Sequence, residues 1–403
     1  MKVVFFTADS NGGYPVPAVR GGAVSTLIEH LVAENNNKQL LDMTIVSLYD
    51  KDAETKSKEY PNVHFIWIHV PIIIRLLDKF FFFIVLHFFK KRKAISYRTI
   101  FSLLFYIAKS SFLLKKSRYD KVILENNIPL AWIIRLSKYQ GEVWYHLHNI
   151  PRTTAKCKSV FEKCKYLCVS EFVARELQTC PIGPINVDNI RVLYNCVDTS
   201  LFSRKNSVQE IREKYGIAED EHLILFVGRL SEEKGIDKLL ESIPLLQTDK
   251  IKVLIVGSLL SNTNVVDSYQ KRIAELSKAL NNKVSYTGYI NQMELPHIYS
   301  AADVAVLPSV WDEPAGLTMV EAMACGTPVI TTQSGGIPEY VADCGSVLPI
   351  DKKLSKNIAE KIDILLADRS LCSNISEKAV LRVTMNFSSK IYLENLIENI
   401  LIE

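Results

Sequence analysis

The sequence predicts an α/β protein made of two facing Rossmann-like domains, each a parallel sheet with helices on both faces. Three observations predict it. Short apolar, β-branched runs alternate with amphipathic helical stretches. The alternation breaks at "VLYNCVDTSLFSRKNS" (192–207), which lacks helical period, and then restarts. The glycine-rich and charged segments follow directly on strands, where open parallel sheets bind their ligands. A chain of 403 residues is long enough for two such domains.

The first set of strands is expected at 2–6, 43–48, 63–68, 121–125, 142–147 and 166–170. The second is expected at 222–228, 252–257, 283–288, 303–308, 328–332 and 345–349. Helical period returns at 354–368 and 387–402 and closes the chain. The boundaries that follow are 1–195 for the first Rossmann-like domain and 196–386 for the second, with the last helix, 387–403, packing back on the first. With two open sheets, the ligand is expected in the cleft between them.

The charge is asymmetric. Residues 1–200 carry 27 Lys and Arg against 17 Asp and Glu, while residues 201–403 carry 21 against 27. A basic half beside an acidic half points to an anionic partner for the first half only. The eight cysteines include no C-x-x-C pair, and several lie in apolar runs such as "YLCVS". They read as reduced core residues rather than a zinc site. The opening "MKVVFFTADS" has too short an apolar run for a signal peptide. The expected setting is the cytoplasm. No recognition helix or aromatic–basic repeat suggests nucleic acid.

Four segments carry candidate chemistry. In "WDEPAGLTMVEAMACGTPV" (311–329) a helix is expected to start at Pro314, with Ala315, Gly316 and Leu317 completing its first turn and Thr318 following. Free amides there suit a phosphate, and Gly316 lets it approach. Glu313 and Glu321 flank this point and suit hydroxyl groups on either side of that phosphate; the plain alternative is a dipole-facing Glu313 and a solvated Glu321. In "FVGRLSEEKG" (226–235), Gly228 permits a tight turn, and Arg229 and Lys234 suit a diphosphate; the plain alternative pairs Lys234 with Glu232 or Glu233. In "VRGGAVSTLIEHL" (19–31), Gly21 and Gly22 precede an amphipathic helix and allow close backbone approach. In "YHLHNIP" (145–151), His148 lies nearest the carboxyl end of its strand and suits a sugar hydroxyl; no further metal ligand stands at sensible spacing. "DKD" at Asp50–Asp52 reads as a solvated loop.

Together "VGRLSEEKGIDKLLES", "GYINQMELPHIYSAADVAVLPS", "WDEPAGLTMVEAMACGTPVITTQSGGIPEYV" and "VLYNCVDTSLF" resemble the family 4 glycosyltransferases of GT-B fold, of the bacterial cell-surface polysaccharide type. The resemblance is continuous from about 191 to 348 and patchier before it. It implies a retaining, metal-independent transfer of a hexose from a nucleotide diphosphate-sugar, with a UDP-sugar as the expected co-substrate and no other cofactor. It implies that Glu313 contacts the donor sugar and Glu321 the ribose hydroxyls. Arg229 and Lys234 then bind the diphosphate and neutralise the leaving group. Gly22 approaches the diphosphate, His148 touches the donor sugar near the reacting carbon, and Ser334–Gly336 lie beside the donor. The sequence departs from the family at Cys196, where glycine is usual. A nucleotide-sugar 2-epimerase of the same fold and a non-catalytic sugar-nucleotide-binding protein are the alternatives.

Residues 70–118 resemble nothing in that family, and the stretch 66–116 stands out as apolar. Its core "FFFFIVLHFF" holds Phe80, Phe81, Phe82 and Phe83 and is followed by Lys90, Lys91, Arg92 and Lys93. Arg75, Asp78 and Lys79 interrupt it, so a spanning helix is not expected. Two readings stand: a core helix followed by a solvated basic turn, or an interfacial segment on an anionic membrane. The second places the protein at the inner face of the plasma membrane, with a saccharide or lipid-linked saccharide as acceptor.

Overall fold

The computed structural model describes residues 1–8, 15–19, 22–88, 97–257 and 268–401. Gly21 and the basic run Lys90, Lys91, Arg92 and Lys93 lie outside the described residues. The chain divides into two compact units, Met1–Leu193 with Ser389–Glu403, and Tyr194–Ser388.

The first unit holds a seven-stranded sheet: β1 (Lys2–Thr7), β2 (Asp42–Leu48), β3 (His64–Ile68), β4 (Lys121–Glu125), β5 (Glu142–Leu147), β6 (Lys165–Cys168) and β7 (Ile190–Val192). Their order is β3-β2-β1-β4-β5-β6-β7, and every pairing is parallel. The second unit holds β8 (His222–Val227), β9 (Ile251–Val256), β10 (Val284–Gly288), β11 (Val304–Leu307), β12 (Val329–Thr332) and β13 (Ser346–Leu348). These run β10-β9-β8-β11-β12-β13, again all parallel. Both orders reverse direction beside the first strand of the sheet, the topological switch point where such sheets open a crevice. The central strands are buried on both faces, as in Val3–Phe6 and Leu223–Phe226. That burial explains their continuous apolar runs.

The longer helices are α1 (Ala23–Lys38), α2 (Ile72–Phe88), α3 (Ile100–Lys116), α4 (Ser268–Ala279), α5 (Leu317–Ala324), α6 (Leu354–Ala367), α7 (Arg369–Asn386) and α8 (Ser389–Leu401). The final helix, α8, packs on α1 within the first unit: Lys38 Nζ donates to the Lys390 carbonyl at 2.8 Å and meets Glu394 at 3.1 Å. In the second unit Val197 pairs with Ser388 as an isolated bridge.

Two elements differ from expectation. The seventh strand, β7, is only three residues long and only partly buried, so it carries too little apolar signal to stand out. The helix α7 was not anticipated because its inward strip, Ser376, Ala379 and Val383, is narrow and small. The "DKD" segment is not a loop: Asp50 caps a short helix, Lys51–Ser57, by accepting from the amides of Asp52 and Ala53 at 3.0 and 3.2 Å. None of the eight cysteines is in a disulfide, and all but Cys372 are buried.

Candidate active site

In the second unit, three loops at the carboxyl ends of β8, β11 and β12 build one constellation around Glu313. Lys234 ends a short 3-10 turn, Glu232–Lys234, after β8. Its Nζ lies 2.7 Å from Oε1 and 2.6 Å from Oε2 of Glu313. Ser309 donates its hydroxyl to Oε2 at 2.9 Å, and the Trp311 indole donates to the same atom at 3.1 Å. Three donors making four contacts hold this carboxylate in one rotamer. Lys234 therefore pairs with Glu313, not with Glu232 or Glu233 as the plain alternative supposed. Arg229 instead meets Glu233 at 3.6 Å, where both side chains are about half exposed. Such an exposed pair is worth little, so the guanidinium is held loosely.

The loop that carries Glu313 is braced by Ser334–Gly336. Ser334 donates its hydroxyl to the Trp311 carbonyl, and the Gly336 amide donates to the Glu313 carbonyl at 2.8 Å. Gly335 sits at φ +53, and a Cβ there would lie 2.2 Å from the Glu313 carbonyl oxygen. No other residue fits that contact.

The helix α5 begins at Leu317 with Gly316 as its cap, so Pro314 and Ala315 lie in the preceding loop and not in the first turn. This corrects the expected start at Pro314. The Met319 side chain lies where a Gly316 Cβ would point, at 1.7 Å. Thr318 is in the first turn of α5. Glu321, one turn further on, is partly buried rather than solvated, and its carboxyl accepts from the Tyr299 hydroxyl at 3.0 Å. Burial pushes that carboxyl up to about 7, against the opposing pull of the Tyr299 bond. Gly228 follows β8 directly, and its amide donates to the Val256 carbonyl at 2.9 Å.

The first unit holds a second cluster. Gly22 caps α1 at φ 116, a conformation that suits glycine. It lines a cavity of about 140 Å³ together with Thr7, Ala23, Glu125 and Asn126. Parallel register sets Glu125 of β4 beside His146 of β5, and His148, two residues on, shares the same side. Glu125 Oε2 lies 3.1 Å from His146 Nδ1 and 3.4 Å from His148 Nε2. All three side chains are almost wholly buried. Burial would raise the Glu125 carboxyl, but the two imidazoles outweigh it and hold it at about 2. Burial, with His146 alongside, pushes His148 down to about 4. His148 is thus a neutral imidazole near pH 7. The sequence reading missed Glu125 because its signal is cross-strand register. Nor does sequence spacing show a third possible metal ligand, since only register brings Glu125 to the two imidazoles. The ligand atoms of Glu125, His146 and His148 all lie within 4.8 Å of one another and could hold a divalent ion.

Residues 207–382 match the family described as Glycosyl transferases group 1. An uncharacterized glycosyltransferase of Methanocaldococcus jannaschii is 33% identical over 214 residues, 52% of this chain and 53% of that protein, so the match spans about half of each. A lipopolysaccharide 1,2-N-acetylglucosaminetransferase of Salmonella typhimurium is 27% identical over 66% of this chain and 68% of its own. Among solved structures, HepE of Anabaena, in complex with UDP and glucose, covers 99% of both chains with a TM-score of 0.72 at 19% identity. That likeness shows the fold, two parallel-sheet α/β domains of the GT-B type. Residues 207–382 of the second unit thus match a group 1 glycosyltransferase domain, and the relatives similar to the chain are named as glycosyltransferases.

Proposed function

We propose that the protein is a retaining, metal-independent family 4 glycosyltransferase that moves a hexose from a UDP-sugar to a lipid-linked saccharide in surface polysaccharide synthesis. The observation that carries this is the Lys234–Glu313 pair, held by Ser309 and Trp311 at the carboxyl ends of β8 and β11. Bond cleavage places negative charge on the leaving diphosphate. Lys234, fixed by Glu313, and Arg229, held loosely after β8, are the cations for that charge, and electrostatic stabilisation of this kind dominates many transfer barriers. Glu313 holds Lys234 in place and offers its own oxygens to donor-sugar hydroxyls once the diphosphate draws Lys234 away. Glu321, as a carboxylate, accepts from the ribose hydroxyls. His148, neutral, takes a sugar hydroxyl. The UDP and glucose in the Anabaena structure support the donor class, and the Salmonella relative supports a saccharide acceptor.

The first unit is assigned to the acceptor and to an anionic membrane at the inner face of the plasma membrane. On α2 the outward residues Ile73, Leu76, Leu77, Phe80 and Phe83 are exposed, Phe80 by 64% and Phe83 by 69%. Phe81 turns inward, onto Phe101 at 5.5 Å. The basic run Lys90, Lys91, Arg92 and Lys93 follows α2 in sequence. Exposed aromatic side chains followed by a basic run match an anionic lipid interface. No described helix is long and apolar enough to cross a membrane.

The test is incubation with UDP-, GDP-, ADP- and TDP-sugars, read by thermal shift and by product analysis. The reading expects one nucleotide-sugar to raise stability by mass action. It also expects slow release of the sugar with retained anomeric configuration. An inverted product, or a new sugar isomer formed without acceptor, overturns it.

A further inference from the structure

The first unit contains a cavity of about 470 Å³ that the donor chemistry does not use. It opens between the carboxyl ends of β2 and β3, α2 and the start of α3. Three cations line it: Arg75 and Lys79 of α2, and Arg98 just ahead of α3. None of the three makes an ion pair among the described residues. The two carboxylates in the lining are already committed. Asp78 sits on the inner face of α2, buried, and caps α3 across the gap: it accepts from the Phe101 amide at 2.8 Å, the Ser102 amide at 3.1 Å and the Ser102 hydroxyl at 2.5 Å. Asp50 caps the helix Lys51–Ser57.

That arrangement has a physical consequence. Asp78 locks α2 to α3, and so holds Arg75 and Lys79, three residues before it and one after, on the wall of the same cavity as Arg98. An anion in the cavity meets three cations, none of which is committed to an ion pair among the described residues. Two guanidinium forks and one ammonium suit phosphate oxygens. The rest of the wall includes Leu48, Val70 and Phe82, and the exposed apolar face of α2 continues from the rim. The ligand is therefore anionic at one end and oily at the other.

We propose that Arg75, Lys79 and Arg98 form a subsite for the phosphate or diphosphate ester of a long hydrocarbon chain. The inference rests on the reading of the first unit as the acceptor side, and it supplies the acceptor's chemical class. The same chemistry could be met by the acceptor's own phosphate or by a bilayer headgroup, and the experiment separates them.

The probes are farnesyl diphosphate, farnesol and inorganic diphosphate, titrated calorimetrically into the full chain. Farnesyl diphosphate is expected to bind at least tenfold tighter than either of the others. The triple variant Arg75→Gln, Lys79→Gln, Arg98→Gln is expected to lose at least 30-fold of that affinity while keeping the parent's nucleotide-sugar affinity. The last measurement also separates failures: if nucleotide-sugar binding is absent from parent and variant alike, the transferase reading falls and the subsite does not. Phosphatidylglycerol vesicles form the second arm. If the triple variant loses only the soluble diphosphate, the subsite holds the acceptor. If it loses vesicles and diphosphate together, it holds the headgroup. If a folded triple variant binds farnesyl diphosphate as well as the parent does, the subsite is refuted. Asp78→Asn, which loosens α2 from α3 but leaves all three cations, is expected to weaken binding by less than the triple variant.

Discussion

Lys234 reaches across 79 residues of sequence to place its ammonium 2.7 and 2.6 Å from the two oxygens of Glu313. Both side chains are mostly buried, at 20% and 13% exposed, so water screens the pair only in part. Lys234→Ala leaves Glu313 with Ser309 and Trp311 alone. The expected loss is about 1–3 kcal/mol of stability, the cost of stranding a largely buried charge. The turnover of donor is expected to fall about 10²–10³-fold, as for removal of one preorganised charge-stabilising group. Glu313→Gln keeps the two neutral donors and should lose transfer while losing less stability. Parent-level kcat/KM in either variant would remove these residues from the mechanism.

Glu321 couples stability to pH. Its carboxyl is raised to about 7 in the folded chain, against an ordinary value of 4.5. Between those values the folded state binds more protons than the unfolded, so this contribution is complete below about 4.5 and is lost as pH rises to about 7. In urea unfolding, Glu321→Gln should shrink the difference between pH 5 and pH 8 by roughly 1–3 kcal/mol. Donor affinity should run the other way, rising through pH 7 as the carboxylate forms and accepts ribose hydroxyls. A variant whose pH slope matches the parent's would show that burial at Glu321 has no energetic consequence.

Gly335→Ala tests the brace behind Glu313. The residue sits at φ +53, and its added carbon would meet the Glu313 backbone at 2.2 Å. Left-handed backbone costs a non-glycine residue about 1–2 kcal/mol before the clash is counted. The expected result is a lower Tm together with a larger fall in kcat than in donor affinity, because the Glu313 loop is displaced. An unchanged kcat would mean the loop position is set elsewhere.

Glu125→Gln tests the buried triad. The two imidazoles would lose the anion that orients them, and stability should drop by about 1–3 kcal/mol, the range for losing buried hydrogen bonds to a charged group. Release of sugar from the donor should slow if His148 loses its orientation. A chelator in excess should leave the parent's transfer rate unchanged, in keeping with metal-independent transfer. Zinc titrated into apo protein at pH 7 measures whether Glu125, His146 and His148 take an ion. Activity that requires added zinc and is abolished by Glu125→Gln would replace the metal-independent reading.

Phe80→Ser with Phe83→Ser tests the outer face of α2. Both rings are exposed, so the fold should be unaffected. Burying a phenyl side chain in an apolar boundary is worth about 1.5–3 kcal/mol. Binding to anionic vesicles should therefore weaken at least tenfold, with donor turnover in solution unchanged. Vesicle binding equal to the parent's would exclude this face as the contact.

Much of the fold was readable residue by residue. Twelve strands were placed within one or two residues of their observed bounds, because a buried parallel strand announces itself as a continuous apolar run. The exceptions are instructive. The strand β7 is three half-buried residues, and α7 turns only small side chains inward, so neither leaves a hydrophobic pattern. Asp50 looked like half of a solvated pair and proved to be a cap, a distinction that depends on which amides lie within reach.

By itself the sequence determined the elements, the two parallel sheets and the list of residues at strand ends, since periodicity, glycine and proline act on their immediate neighbours. Only the tertiary structure decided the pairings: Lys234 with Glu313 rather than the adjacent Glu233, Glu321 with Tyr299, and Glu125 beside His146 and His148. Those contacts join segments 21 to 79 residues apart, and strand register and loop packing, which have no local signature, bring them together.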